Sequence, residues 1–570
     1  MTDTFPRQYA RTQRLTLGEP RTITVSPDGK RVLFLRSTNG TDTVQSLWLL
    51  HVERNTEVCI ADVRELLAAS EGHTESAEEQ ARRERAREGA GGIVQYSCDA
   101  EVQHVAFAVA GHLFVCDMQH ANEIVIKSPA SGTIYDARIS PDGQHVAYVR
   151  DRSLYMCDLQ GVERCVASEE SPDVTWGIAE FVAAEEMNRQ RGFWWAPDSS
   201  ALAVERADHS PIQSILIADP AQPTSNPSSR RYPFAGTANA LVSLHLVAIN
   251  GNRTAVTWDS LAFEYLTSVQ WNMHGLVISV MSRDQRILDI RAVDISSGQT
   301  NSLHTEHDEC WVELVVGGPS LLEKDLLMWC GERNGVRAIV VNNDVITPSH
   351  LQVRSVVRAS HDNIIFSANN VQRPQELHVF SVQISGGEEA QLSDGIGIHS
   401  ATVGGETTVL RSATLETRRS RTLVNNHHQL ANHAEEPLIG TNVSLHSVGP
   451  RDIATAVVLP ENHDGSMLPV LFDPYGGPHA QRVLSASGAY LASQWFANQG
   501  FCVVIADGSG TPGRGSTWER EVHRDLASSV LADQLTVLRH LPEIAPCADT
   551  SRVAIRGWSF GGYLAALAVL

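Results

Sequence analysis

The chain has 570 residues, of which 42% are hydrophobic and 19% charged, as expected of a globular protein with two or more domains. Its formal net charge of −21 at pH 7 argues against nucleic acid or an anionic membrane as the main partner. No apolar run approaches the length of about eighteen residues that a membrane helix needs, and the first residues do not resemble a signal sequence. We therefore expect a cytoplasmic protein with no membrane partner.

The nine cysteines are scattered along the chain, and none of them forms a Cys-x-x-Cys pair. This usage argues against a disulfide framework and against a structural zinc site. Scattered cysteines of this kind fit a reducing compartment better. We expect no metal and no other cofactor.

Short strand-like segments separated by turn residues extend from about residue 20 to 430. Three of them share a Pro-Asp-Gly-type turn that leads into alternating apolar residues, at 25–34, 139–148 and 195–204. In the third copy, Ser199 replaces the glycine. Such repeats predict a β-propeller, whose radially arranged blades leave only short edges. A β-sandwich built from unrelated hairpins is the alternative.

Residues 77–88 interrupt the strand-like pattern with good helix formers, and Glu78 precedes Arg82 by four residues. This segment is predicted to be a solvated surface helix.

The pattern changes after about residue 435, where apolar strand-like runs alternate with helical segments. The predicted strands are 452–460, 468–472 and 501–505, and the predicted helices are 489–498 and 528–540. This alternation predicts a parallel sheet flanked by helices. The sequence therefore indicates an N-terminal segment at 1–19, a propeller at 20–430 and an α/β domain at 431–570.

The last fourteen residues contain Gly557-Trp558-Ser559-Phe560-Gly561, which fits the pattern G-x-S-x-G. A predicted strand at 552–556 precedes it, and a predicted helix at 563–568 follows it. This order is typical of a nucleophile elbow, the sharp turn that exposes a serine hydroxyl above an α/β-hydrolase sheet. Ser559 is therefore the candidate nucleophile, and the backbone N–H of Phe560 is a candidate oxyanion-hole donor.

The acid and the histidine of a catalytic triad normally follow the serine in this fold, but neither residue type follows Ser559. The upstream residues His523, Asp525 and Asp507 have the wrong order, so we predict no triad role for them. Asp507 is instead predicted to shape the loop after a strand. We expect a complete hydrolase of this fold to continue past residue 570, and residues 1–570 alone to have negligible hydrolytic activity.

Four motifs resemble, in this order, those of the dipeptidyl peptidase IV branch of the prolyl oligopeptidase family. They are WGIAEFVAAEEM at 176–187, FWWAP at 193–197, DPYGGP at 473–478 and GWSFGGY at 557–563. The resemblance implies an eight-bladed propeller that caps an α/β-hydrolase domain, with the N-terminal segment packed on the hydrolase. It also implies a serine exopeptidase that releases X-Pro or X-Ala dipeptides through an acyl-enzyme on Ser559, and a homodimer in the full-length form.

The resemblance assigns roles to three further residues. Tyr475 would donate a second hydrogen bond to the oxyanion, although the residues alone fit a turn tyrosine equally well. Glu185 and Glu186 would bind the free α-ammonium of a peptide. Because adjacent residues on a helix point about 100° apart, a joint site requires a short or irregular helix. Relatives also place an arginine near the substrate carbonyls, for which the candidates are Arg83, Arg85 and Arg87.

Two other functions stay open on the sequence. One is a non-catalytic module, in which a propeller with a hydrolase remnant captures peptide N-termini through Glu185 and Glu186. The other is a relative of the acylaminoacyl peptidases, whose blocked substrates offer no ammonium to these carboxylates. The expected partners are peptides with a free N-terminus.

Overall fold

The computed structural model describes residues 3–67, 89, 91–118, 133–323 and 325–570. Eight blade sheets follow one another along the chain between residues 21 and 429, and a five-stranded sheet follows between 443 and 555. The fold is thus an eight-bladed β-propeller joined to an α/β-hydrolase domain. The predicted helix at 77–88, with its three candidate arginines, lies outside the described residues.

The strands of the first four blades pair mainly with their sequence neighbours, in antiparallel fashion. Blade 1 contains β1 (Arg21–Val25), β2 (Arg31–Ser37), β3 (Val44–His51), β4 (Thr56–Ala61) and β5 (Gly91–Gly92), and blade 2 contains β6 (Ser97–Cys98), β7 (His104–Val109) and β8 (His112–Asp117). Blade 3 contains β9 (Ile134–Ile139), β10 (His145–Arg150), β11 (Ser153–Asp158) and β12 (Glu163–Ala167). Blade 4 contains β13 (Val174–Trp176), β14 (Phe193–Trp195), β15 (Ala201–Asp208), β18 (Leu241–Ala248) and β19 (Arg253–Val256), with an inserted hairpin of β16 (Ser214–Ile217) and β17 (Ser228–Arg231).

The last four blades are four-stranded. Blade 5 contains β20 (Tyr265–Asn272), β21 (Gly275–Met281), β22 (Ile287–Val293) and β23 (Thr300–His307), and blade 6 contains β24 (Ser320–Glu323), β25 (Leu326–Arg333), β26 (Val336–Val341) and β27 (Asp344–Val345). Blade 7 contains β28 (Leu351–Ala359), β29 (Asn363–Asn370), β30 (His378–Gln383) and β31 (Ala390–Gln391), and blade 8 contains β32 (Ile398–Gly404), β33 (Thr407–Ala413), β34 (Arg421–Val424) and β35 (His428–Gln429).

The three sequence repeats form equivalent turns in blades 1, 3 and 4. The residue after the aspartate has a positive φ in each turn: +70° at Gly29, +72° at Gly143 and +63° at Ser199. Ser199 therefore adopts the left-handed conformation that glycine takes in the other two copies. Its hydroxyl accepts the N–H of Asp142 at 3.0 Å, which links blades 3 and 4.

Blades 8 and 1 close the ring. The Thr407 hydroxyl of blade 8 donates to the Gly29 carbonyl of blade 1 at 2.7 Å. A buried apolar cluster spans the same junction and contains Val25, Val32, Phe34, Val409, Val424 and Leu430. The circle is therefore closed by packing as well as by hydrogen bonds.

The hydrolase sheet is mixed, with strand order β36-β37-β39-β38-β40. Its strands are β36 (Val443–Val448), β37 (Ile453–Val458), β38 (Leu468–Phe472), β39 (Cys502–Asp507) and β40 (Ala548–Ile555). Strand β38 is parallel to β39 and β40, as predicted, whereas β36 and β37 are antiparallel. The prediction of a wholly parallel sheet was wrong because β36 and β37 form a hairpin, whose turn places Gly449 at φ +70°.

Most helices of the described ranges belong to the hydrolase domain. They are α4 (Leu491–Ala497), α5 (Ser516–Arg520), α6 (Ser528–Ile544) and α7 (Phe560–Val569), with a 3₁₀ turn at Ser487–Tyr490. Outside the hydrolase lie α1 (Phe5–Arg11), α2 (Val63–Leu67) and α3 (Phe181–Glu186). No helix in these ranges is both long and apolar enough to span a bilayer.

Contacts near the N-terminus and at α5 join the two halves of the chain. Phe5 and Leu15 pack with Leu491 of α4 in one buried cluster. On the propeller side, the Arg337 guanidinium of blade 6 lies 2.7 Å from the Glu519 carboxylate of α5, and both side chains are buried. These contacts fix the hydrolase against the propeller, while the exact domain boundaries remain predictions.

Candidate active site

Ser559 lies at the sharp turn between β40 and α7. Its φ and ψ are 55° and −122°, a combination that L-residues rarely adopt. The residue is exposed, and no side chain among the described residues hydrogen-bonds its hydroxyl. The strained turn therefore presents this hydroxyl to solvent, as a nucleophile elbow does.

Two glycines hold the elbow by close backbone approach. A Cβ atom on Gly557 would overlap the carbonyl group of Gly561, and a Cβ atom on Gly561 would overlap the carbonyl oxygen of Pro474. A Cβ atom on Gly562, by contrast, would have its nearest neighbour at 3.5 Å, an ordinary contact. Gly557 and Gly561 are thus required by packing, Gly557 within the elbow and Gly561 against the loop at 473–478.

Tyr475 lies beside the elbow, on that same loop. Its half-buried ring is tilted against the ring of Phe560, with 5.9 Å between the centroids. Phe560 is the first residue of α7, and the first N–H groups of a helix have no carbonyl partner within the helix. The structure therefore brings together Ser559, Tyr475 and the Phe560 N–H, the three groups that the sequence assigned to acylation.

Two buried acids support the loop from behind. Asp473 accepts a hydrogen bond from the Ser493 hydroxyl at 2.9 Å and pairs with the Arg482 guanidinium at 3.1 Å. Asp507 ends β39 and accepts the N–H groups of Arg482 and Val483 at 2.9 and 2.7 Å. Burial raises the pKa of Asp507 to about 6. Both carboxylates are used to hold the segment that follows Tyr475.

The other upstream candidates also have local partners. Asp525 accepts the N–H groups of Ala527 and Ser528, both at 2.9 Å, at the start of α6. The His523 ring lies 6.0 Å from the Trp311 ring of the propeller, measured between centroids. Neither residue contacts Ser559 in the described part of the chain.

The two candidate ammonium ligands lie in the last turn of α3. This helix has only six residues, and it begins where the Glu180 carboxylate accepts the N–H groups of Val182 and Ala183 at 2.7 and 2.6 Å. Glu185 and Glu186 end it, and both are exposed. The short helix that a joint carboxylate site requires is therefore present.

A buried ion pair fixes α3 to blade 4. Arg189 and Glu205 are in direct contact, with only 6% and 0% of their side chains exposed. Glu205 also accepts the N–H of Glu180 at 3.0 Å, and Arg189 donates to the Leu266 carbonyl at 2.9 Å. Burial raises the pKa of Glu205 to about 7. Sequence reasoning missed this pair, although a glutamate directly after the apolar run 201–204 was a signal for it.

A cavity of about 350 Å³ is lined by residues of both domains. Its lining includes Glu186, Trp194 and Trp311 of the propeller together with His479 of the hydrolase. Glu185 does not belong to the lining among the described residues. Among the described residues, Ser559 and Tyr475 do not belong to the lining either, and the hydrolase contributes His479, which directly follows the loop at 473–478.

An acidic helix on a propeller, combined with an exposed elbow serine, defines the class of propeller-capped α/β-hydrolases. Residues 93–413 match the family model described as the dipeptidyl peptidase IV (DPP IV) N-terminal region. Residues 489–570 match that of the prolyl oligopeptidase family. The first match covers more than half of the chain, which therefore belongs to the DPP IV type of the prolyl oligopeptidase family.

Relatives of known sequence or structure agree with this assignment. The venom dipeptidyl peptidase 4 of Vespa velutina is 24% identical over 452 residues, which are 69% of this chain and 57% of that protein. The prolyl endopeptidase FAP of Mus musculus is 35% identical over 114 residues, 20% of this chain and 15% of that protein. The crystal structure of Porphyromonas gingivalis dipeptidyl peptidase 4 has the same fold, with a TM-score of 0.79 at 18% identity over 98% of this chain and 82% of that one.

The predicted family and the predicted propeller–hydrolase architecture are thus confirmed. The chain spans less than two thirds of the length of the curated venom relatives that it matches, 57% for Vespa velutina and 59% for Apis mellifera.

Proposed function

We propose that the chain carries the substrate-binding and acylating groups of a serine exopeptidase that releases X-Pro or X-Ala dipeptides. Ser559 Oγ attacks the carbonyl carbon of the second residue, the remaining peptide leaves with its new amino group, and water then hydrolyses the acyl-enzyme. Tyr475 and the Phe560 N–H stabilise the oxyanion. Glu185 and Glu186 bind the α-ammonium of the substrate.

The observation that carries this proposal is the cavity lined by both Glu186 and His479. A carboxylate at one part of the space, and at another the residue that directly follows the Tyr475 loop, fit the two requirements of an exopeptidase. One requirement is a group that recognises the free N-terminus, and the other is an acylation site at a limited distance from it. An acylaminoacyl peptidase would have no use for the first group, because its substrates lack a charged amine.

Residues 1–570 by themselves are expected to turn over peptide negligibly. A serine hydroxyl needs a histidine base, and no histidine follows Ser559 or contacts it among the described residues. Release of dipeptide from a Gly-Pro chromogenic substrate by this polypeptide would contradict this part of the proposal. Reaction of Ser559 with a fluorophosphonate only in an extended polypeptide would support it.

The binding half of the proposal is tested without turnover. Titrating Gly-Pro-Ala-amide and N-acetyl-Gly-Pro-Ala-amide against the chain, with the fluorescence of the cavity tryptophans as readout, compares a free with a blocked N-terminus. We expect the free peptide to bind about tenfold tighter, as a charge-assisted hydrogen bond allows. The variant Glu186→Gln should abolish this preference, whereas Glu170→Gln, at an exposed position outside the cavity lining, should retain it.

Equal affinity of the wild-type chain for both peptides would overturn the exopeptidase proposal. The cytoplasmic location and the homodimer of the full-length form stay predictions.

A further inference from the structure

We propose that Arg191 binds the side-chain carboxylate of an aspartate or glutamate at the first position of the peptide. The site would then select acidic N-terminal residues. This inference rests on the proposed function, since it takes the cavity to hold a peptide N-terminus. It goes further by naming the substrate class and the residue that recognises it.

Arg191 differs from the neighbouring arginines in having no acidic partner. Arg138 pairs with Asp136 at 2.8 Å, and Arg189 pairs with Glu205. In the described part of the chain, no carboxylate lies within 4.0 Å of the Arg191 guanidinium. Among the described residues, Arg138 and Arg189 are thus paired with a carboxylate, and Arg191 is not.

The remaining contacts of Arg191 leave its charge uncompensated. Its Nη2 donates to the Phe193 carbonyl at a long 3.3 Å, and its buried Nε has no hydrogen-bond partner in the described residues. The guanidinium lies 5.7 Å from the centroid of the Trp194 ring, a contact that tolerates a cation without neutralising it. A buried donor of this kind is unfavourable until it is paired.

Burial, together with repulsion from Arg138, lowers the pKa of Arg191 to about 9, and the attraction of the Asp136 carboxylate offsets this only in part. The group is therefore still a cation at pH 7. A carboxylate that entered the cavity would supply the missing countercharge, and a guanidinium can bind a carboxylate through two parallel hydrogen bonds.

The position of Arg191 specifies where the carboxylate belongs on the peptide. Arg191 and Glu186 line the same cavity, so an anion and a cation of the protein border one space. An N-terminal aspartate or glutamate carries an ammonium and a carboxylate on one residue, which complements this pair of charges. The overall charge of −21 disfavours the approach of acidic peptides, and a local cation in the cavity would offset this repulsion.

The test compares Asp-Pro-Ala-amide with Asn-Pro-Ala-amide on the 570-residue chain, again by fluorescence titration. The C-terminal amides remove the other carboxylate, and Ala-Asp-Ala-amide against Ala-Asn-Ala-amide probes the second position. We expect the wild-type chain to bind Asp-Pro-Ala-amide about tenfold tighter than its Asn counterpart, and to show no preference at the second position.

Variants assign the preference to one side chain. Arg191→Gln should make the two Pro-containing peptides equal without changing the Kd of the Asn peptide, and Arg191→Lys should retain part of the preference. The control Arg206→Gln removes a cation from the same blade, at a residue that is paired with Glu169 and lies outside the cavity lining. It should keep the full preference.

The possible results separate the two proposals. If the wild-type chain binds both Pro-containing peptides equally, or prefers acid only at the second position, the role of Arg191 is overturned while the exopeptidase proposal stands. If Arg191→Gln keeps the preference, the same conclusion follows. If N-acetyl-Asp-Pro-Ala-amide binds as well as the free peptide, or if nothing binds, both proposals fail. The wild-type comparison needs no variant, so a misfolded Arg191→Gln does not weaken the test.

Discussion

The acidic helix α3 and the serine elbow are held in place by different physical means. Charged and polar side chains fix α3, through the Arg189–Glu205 pair and the hydrogen bond from the Glu180 N–H to Glu205. At the elbow, main-chain atoms of Gly561 and Pro474 occupy the space that side chains would need. The end of the site at α3 is therefore sensitive to loss of charge, and the end at the elbow to added volume.

The two supports also differ in how completely the surrounding protein encloses them. The ion pair below α3 is enclosed on all sides, as the complete burial of Glu205 shows. The elbow is packed on one face, where Leu564 is buried, while Trp558 on the other face is 80% exposed. On its packed face the elbow contacts the loop at 473–478 and, through Leu564, the buried side chains of Val522 and Val530, and small changes there should have large local effects.

The largest effect is expected from breaking the ion pair. Arg189→Met leaves Glu205 buried without its countercharge, which should lower the free energy of unfolding by about 4 kcal/mol. The control Arg206→Met breaks the partly exposed pair with Glu169 and should change it by less than about 1 kcal/mol. Urea unfolding followed by circular dichroism gives both values. Similar values for the two variants would show that the buried pair does not hold the propeller.

A somewhat smaller effect is expected from adding one methyl group to the elbow. Gly557→Ala would place its Cβ on the carbonyl group of Gly561 and should destabilise the hydrolase domain by about 3 kcal/mol. Gly562→Ala adds the same group at a helical position with room for it, and should be neutral or stabilising by up to about 1 kcal/mol. Hydrogen exchange of the α7 amides measures the two variants locally. Equal protection in both would contradict the packing account of the elbow.

The sequence predicted the elbow well because its determinants are local. Strand, serine, glycines and helix follow one another within 548–569, and each carries its own signal. The support of α3 was not predictable in this way. Arg189 and Glu205 are 16 residues apart, and only the folding of blade 4 buries them against each other. The cavity depends on a still longer separation, since His479 and Glu186 come from different domains.

The blade repeats show a second limit of prediction from the sequence. The pattern of proline and glycine found three turns, but the structure contains another with neither residue at the corner. In Ser282-Arg283-Asp284-Gln285, the Ser282 hydroxyl donates to Asp284 at 2.7 Å, and Gln285 has φ +62°. The turns of Ser26 and Ser140 have the same hydroxyl-to-aspartate bond, each at 2.5 Å. The aspartate is the residue that all four turns share, since the third copy has Ala196 where the others have serine.

The smallest expected effect is a pH dependence of the free energy of unfolding, and it arises from a carboxyl group near the elbow. Burial raises the pKa of Asp507 from 3.8 to about 6, so the folded state favours its protonated form. The stability that this group contributes is complete below pH 3.8 and is lost as the pH rises through about 6. The advantage of the wild-type chain over Asp507→Asn in free energy of unfolding should therefore shrink between pH 4 and 7.

Asp525 provides a matched control of opposite sign. Hydrogen bonds from the Ser528 N–H and from neighbouring groups lower the pKa of its exposed carboxylate. Its contribution is therefore present above pH 3.8 and is lost as the pH falls below that value. Urea titrations should show the difference between wild type and Asp525→Asn growing up to about pH 4 and then staying level, while that for Asp507→Asn shrinks between pH 4 and 7. If both differences grow, Asp507 is ionised in the folded chain at low pH, and its two backbone hydrogen bonds outweigh its burial.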